Sequence, residues 1–234
     1  MLRLNRALQA CALSAASAAA LLAGVPDAGA AATPMVLFDD ATVDGGSFSY
    51  SGRGGAVSGA NIRLDTIFGS GTASNDGVAL TCEDCTLSFV SGANDFETPI
   101  WAFSPGGGFA VTGTAKNGAL EIASGTLLSG VFNDTTFASK AGNAHINLSA
   151  SLDVTMDDAL AEFYGTSTHG LAVMTQIHSL LTPVDFSTRA FQGTSTDTDI
   201  NYLSALPVPA TLPLFLSALA GIAMIGRRHI SASA

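Results

Sequence analysis

Charge is the scarcest commodity of this chain. Charged residues make up 12% of the 234 positions, about half the share of roughly 25% usual in soluble proteins. Basic residues are scarcer still, with nine Lys and Arg against 19 Asp and Glu, for a formal charge of −10. Nothing in that balance neutralises a run of phosphates, which excludes nucleic acid as a partner. There is a single Trp and there are only three Cys. Catalytic signatures are missing as well. The chain contains no Gly-x-Ser-x-Gly elbow, and no His-Glu-x-x-His, phosphate loop or dinucleotide glycine pattern. What it does have is 47% apolar residues, 13 Phe and 25 Gly. That is enough to build a core and too apolar for a disordered chain.

The two ends read as addresses. At the N-terminus Arg3 and Arg6 precede an uncharged Ala/Leu-rich stretch over 7–25, and small residues around Ala28, Ala30 and Ala32 offer cleavage sites. This is the pattern of a secretory signal peptide over 1–32, and Cys11 falls inside it. At the C-terminus Pro207-Val208-Pro209-Ala210 is followed by an apolar run over 211–226 and then by Arg227 and Arg228. Counted from 205, the uncharged stretch is long enough to cross a bilayer as a helix, with the Arg pair as a cytoplasmic stop.

The order of Leu206-Pro207-Val208-Pro209-Ala210, apolar run and Arg227-Arg228 resembles a VPLPA-CTERM tail, a variant of the PEP-CTERM sorting signals of Gram-negative bacteria. Leu206 stands where the name-giving motif has Val, and Val208 where it has Leu. The resemblance covers roughly the last 25 residues. It implies export by the secretion machinery and tethering to the inner membrane through the C-terminal helix. It also implies an exosortase-type membrane transpeptidase as partner, and a final location at the cell surface or outside the cell. It implies no activity.

The middle, 33–204, carries 18 acids and five bases, a formal charge of −13. Its dominant period is two. Over 145–156, Ile146, Leu148, Ala150, Leu152, Val154 and Met156 alternate with Asn147, Ser149, Ser151, Asp153 and Thr155, the pattern of a half-buried strand. Shorter candidates lie at 35–38, 47–51, 78–82, 86–90, 100–104, 109–113, 119–123, 126–132, 171–178 and 199–203. Turn signals separate them at 44–46, 75–77, 105–108 and 117–118. Asn117-Gly118 is the clearest hairpin. One short helix is expected near 159–164, with Asp157 as cap and Gly165 at its C-terminal end. The expected fold is all-β, an antiparallel sandwich or barrel-like domain with one short helix. Three stretches, Gly46-Ser47-Phe48-Ser49-Tyr50-Ser51-Gly52, 80–87 and 195–200, give this region a looser resemblance to the β-rich ectodomains often seen on such tails.

Cys82-Glu83-Asp84-Cys85 is the one strong local motif. In an exported protein two nearby Cys most simply form a disulfide, worth about 2 kcal/mol for so small a loop. The strand-like flanks place it at a tight turn. A redox thiol is disfavoured by Glu83 and Asp84, and a zinc site lacks further ligands at suitable spacing. No metal, cofactor or catalytic residue is assigned. The acidic groups Asp39/Asp40/Asp44, Asp157/Asp158 and Asp197/Asp199 suit solvated turns and caps, with Asp197 and Asp199 the best placed for Ca²⁺. Trp101 with Phe96, Phe103 and Phe109 reads either as core or as a sugar-stacking platform. His169, Asp185 and a nearby Ser would be needed for a hydrolase. The function expected is therefore an exported, tethered surface or matrix protein without catalysis. A carbohydrate- or Ca²⁺-binding adhesin module, with extracellular polysaccharide as partner, and a secreted hydrolase are the alternatives.

Overall fold

In a computed structural model of the chain the alternation over 145–156 is a strand, His145–Met156, whose even-numbered side chains are all buried while the odd-numbered ones face outward. The described residues are 33–40, 45–96, 100–141, 145–182 and 189–204. The signal peptide, Asp44, Asp185, the sorting motif at 206–210, the apolar run, Arg227 and Arg228 lie outside them.

Among the described residues eleven strands follow in chain order: β1 Met35–Asp39, β2 Ser47–Tyr50, β3 Ala56–Ser70, β4 Ala79–Phe96, β5 Trp101–Phe103 and β6 Gly107–Asn117. Then come β7 Leu120–Phe132, β8 Thr136–Ala141, β9 His145–Met156, β10 His169–Thr182 and β11 Phe191–Ser204, with one helix, α1 Asp158–Tyr164, between β9 and β10. All belong to one antiparallel sheet. Several strands share a position. β1 and β2 lie end to end between β11 and β3, with Met35 opposite Leu203 and Tyr50 opposite Phe191. β5 and β6 follow one another along β4, and β7 and β8 along β9. Each position pairs with the next in chain order, and the last, β11, pairs with β1 and β2. Of the sandwich and barrel alternatives, the described residues form the second: an up-and-down sheet closed on itself. Closure removes the unpaired edge that an open sheet exposes.

Alternation then decides what goes where. Even positions of β9, with Ala172 and Met174 of β10 and Ile200 and Tyr202 of β11, are buried. An aromatic group fills the end near β5: Trp101 meets Phe191 edge-on at 5.0 Å, and Tyr50 meets Phe103 at 5.3 Å. On the outside β9 shows His145, Asn147, Ser149, Ser151, Asp153 and Thr155, the reverse of a lipid-facing strand. Among the described residues no helix is long and apolar enough to cross a membrane.

Three turn signals turn out not to reverse the chain. Residues 45–46 and 105–106 join strands that continue along the same neighbour. Cys82 and Cys85 sit inside the single long strand β4, where the register to both β3 and β6 shifts. The tight turn expected there is a bulge, with Asp84 at φ 52°. Locally the two look alike, because both need a residue or two out of extended geometry. Asn117-Gly118 does make a hairpin, with Asn117 paired to Leu120.

The helix is where the sequence places it. Asp157 Oδ1 accepts from the backbone N–H of Ala159 and Leu160 at 2.9 and 3.2 Å, and Gly165 ends it at φ 63°. It closes one end of the barrel. Tyr164 donates its hydroxyl to the carbonyls of Ile67 and Val78 at 3.0 and 3.1 Å, tying the β9–β10 connection to the β3–β4 connection. Gly69 makes room: a Cβ there would lie 2.5 Å from the Tyr164 ring.

Candidate functional site

The β10–β11 pair holds most of the chemistry among the described residues, on both of its faces. The ladder between these strands slips one residue between Ile177 and His178, so that Ile177 faces Asp197 but His178 faces Ser195. Thr196 is the extra residue, and its hydroxyl donates to the Ile177 carbonyl at 3.1 Å. The slip resets the alternation. Ser195 and Thr198 both point inward, and Asp197 and Asp199 both point outward. Re-aiming side chains is what bulges do.

Outside, Asp199 lies directly opposite Asp39 of β1. Asp39, Asp197 and Asp199 each offer a carboxylate oxygen, and these oxygens all lie within 4.8 Å of one another. The Asp39 carboxyl is held above its ordinary value, first by partial burial and then by the charges of Asp65 and Asp197. That of Asp199 is raised by partial burial and then by Asp39 and Asp197. Like charges directly opposed across a ladder are destabilising, so a cation or a shared proton relieves the group. Three hard oxygens suit Ca²⁺, which takes the rest of its six to eight ligands from water and backbone.

Inside, the same two strands bury polar groups. Gln176 faces Thr198 and His178 faces Ser195, and all four are 2% exposed or less. Ser195 and Thr198 share a hydroxyl–hydroxyl bond of 2.8 Å. Asp40, the inward neighbour of Asp39, accepts from the Thr198 backbone N–H at 3.0 Å. His178 stacks on Phe48 with centroids 3.7 Å apart. Its Nε2 lies 3.1 Å from Gln176 Oε1; with the amide oxygen as the acceptor of this pair, the proton sits on Nε2. Burial pushes the imidazole down to about 3, so it is neutral at physiological pH. Nδ1 then has no hydrogen-bond partner among the described residues. Ser195, His178 and Asp40 are therefore not a nucleophilic triad: the serine bonds to Thr198, and the group is closed to substrate.

Other expected residues are placed as follows. Trp101 is 2% exposed. Its indole N–H donates to the Arg189 carbonyl at 3.2 Å, and the Arg189 guanidinium lies over the ring at 5.4 Å. Phe103 and Phe109 are also core, so the sugar-stacking platform is not formed. His169 is exposed and paired with the Thr155 hydroxyl at 3.1 Å. Cys82 and Cys85 form a disulfide with Cα atoms 5.5 Å apart, both side chains buried. Next to it Lys116 pairs with Glu83. Sequence reasoning grouped Asp39 with Asp40 and Asp44, and Asp197 with Asp199. It missed that β1 and β11 are partners. It gave His178 no distinct place, although the alternation of Ala172, Met174, Gln176 and His178 puts that histidine on the core face.

No protein-family model matches the chain, nor does any curated protein or any solved structure.

Proposed function

We propose that this chain is an exported surface or extracellular-matrix protein. On this reading it is tethered to the inner membrane through its C-terminal helix and then processed at the 206–210 motif by an exosortase-type transpeptidase. It performs no catalysis. The observation that carries the reading is the Cys82–Cys85 bridge, buried within β4. Such a bond fits an oxidising compartment and is rare in a reducing one. A closed, acidic barrel with a polar face such as that of β9 supports the same reading, because its net charge favours solubility. The deciding measurement is the intact mass of the native protein from envelope and medium, with and without reductant. A chain starting near Ala31 or Thr33, ending near 207–210, and two hydrogens lighter before reduction is the expected result. A product that keeps 211–234 makes the tail a plain anchor and removes the sorting reading.

A second reading is favoured by one observation, the convergence of Asp39, Asp197 and Asp199. It is a Ca²⁺-binding adhesin module. Calorimetric titration with Ca²⁺ tests it: heat that disappears in Asp199→Asn supports it, and silence in the parent protein removes it. The polysaccharide version of that reading loses its aromatic platform, since Trp101 is core.

A further inference from the structure

The outer face of the barrel is not uniform. Where β9 shows only polar side chains, the strands beyond it show an apolar patch. Leu171 is 54% and Val173 39% exposed, and Leu203, Met35, Leu37 and Phe68 are partly exposed. The register makes them neighbours. Leu171 faces Leu203, which faces Met35, while Val173 faces Asn201, which faces Leu37, which faces Phe68. Four adjacent strands contribute, at the end of the barrel where β1 begins and β11 finishes. Further along the same strands stand Asp39, Asp197 and Asp199. Read from Ser204 backwards, this face is apolar first and acidic second.

The chain beyond Ser204 has the complementary order. Six residues, 205–210, lead to the apolar run 211–226, and that run ends in Arg227 and Arg228. Six residues with two prolines reach about 20 Å when extended, enough for the chain to turn back on itself. Sixteen residues wound as a helix span about 24 Å. From Ser204 to Asp197 along β11 is also about 24 Å, at roughly 3.4 Å per residue. A segment folded back along β11 would bring the Arg pair level with the carboxylates.

We propose that the outer face of β10, β11, β1 and β3 is a dock for residues 211–226 of the same chain, with Arg227 and Arg228 set against Asp39, Asp197 and Asp199. The proposal rests on reading 205–234 as a sorting tail, and it adds where that tail lies in a chain that is out of the membrane. In such a chain the apolar stretch is exposed to water, which is an aggregation hazard. Docking covers one side of it and supplies the mutually repelling carboxylates with cations. Because the run is apolar on every side, the dock leaves its far side wet, and a bilayer, which covers all sides, displaces it.

The test uses the full chain with Arg227→Lys and Arg228→Lys, which keeps the charge and adds amines. Without detergent, a zero-length carbodiimide coupling is expected to join position 227 or 228 to Asp39, Asp197 or Asp199, read by peptide mass spectrometry. The yield is expected to fall about tenfold, the equivalent of 1.4 kcal/mol, in two cases: with Leu171→Asp plus Val173→Asp, and with vesicles of phosphatidylethanolamine and phosphatidylglycerol. Retention of the Cys82–Cys85 bridge and the β circular-dichroism spectrum shows that the variant is folded. No link, or a link indifferent to the patch substitutions, overturns the dock. So does a link between isotopically labelled and unlabelled chains, which assigns the patch to a second copy. The intact mass of the native protein is independent of all these, so a failed dock with a trimmed tail, and a formed dock with an untrimmed tail, are distinguishable.

Discussion

β9 and β11 lie two positions apart in one sheet and use their two faces differently. β9 has nothing but apolar side chains inside and polar ones outside. β11 buries Ser195, Thr198 and Ser204 inside, and outside it carries Asp197, Asp199 and the partly exposed Leu203. Both strands are extended, antiparallel and paired to β10, so backbone geometry does not distinguish them. The bulge does. β9 is in unbroken register with β10 along its whole length, whereas the slip beside Thr196 changes which β11 residues face the core. The regular strand builds the barrel. The irregular one holds the groups that are costly to keep.

The comparison can be broken most forcefully at Leu152, an inward residue of β9 with no exposure. Leu152→Ala is expected to lose about 2–5 kcal/mol in urea unfolding; a loss under 1 kcal/mol would mean that β9 is not the core strand it appears.

The interior of the irregular pair is probed next, through His178, which faces Phe48 and Gln176. Its folded pKa of about 3 lies below the unfolded value near 6.5. As pH falls the unfolded chain takes up the proton first, so stability is whole above 6.5 and is lost progressively towards 3. Between neutral pH and pH 5 the expected loss is about 2 kcal/mol. His178→Phe is expected to flatten that slope, and an unchanged slope would place the acid sensitivity elsewhere.

On the outside of β11 the sign reverses. Asp39 and Asp199 have raised pKa values, so the folded state holds its protons longer. The penalty of ionising them is full at neutral pH and disappears as pH falls through the folded values towards 3.8. Asp199→Asn is expected to gain about 0.2–1 kcal/mol at pH 7, with the gain closing on acidification. A loss at pH 7 would show that Asp199 is stabilising as it stands. The smallest effect belongs to the outer face of β9, where Ser149→Ala is expected to stay within about 0.5 kcal/mol. A larger change would mark that face as a contact surface.

Some of this was legible residue by residue. The alternation over 145–156, the Asn117-Gly118 hairpin and the Asp157-capped helix depend on neighbours in sequence, and all three appear as expected. The breaks at 45–46, 82–85 and 105–106 were visible too, but their meaning was not. Such an interruption, whether glycine-rich or a bulge, serves equally for a hairpin and for a kink in a continuing strand. Only the partner strand on either side decides between them. Asp39 shows the same limit at the candidate site. Its nearest acid in sequence, Asp40, points to the core and bonds Thr198, while its partners in space come from the other end of the domain.

By itself, then, the sequence determined the β character, the face that each regular strand buries, the short helix and the Cys82–Cys85 pairing, because these follow from side-chain period, local capping and loop length. Tertiary structure alone decided that β11 returns to β1 and β2 and closes the sheet, that Trp101 is core, and that three distant aspartates meet. Those facts rest on long-range strand pairing. That pairing is set by how the whole apolar face packs, and no stretch of neighbouring residues encodes it.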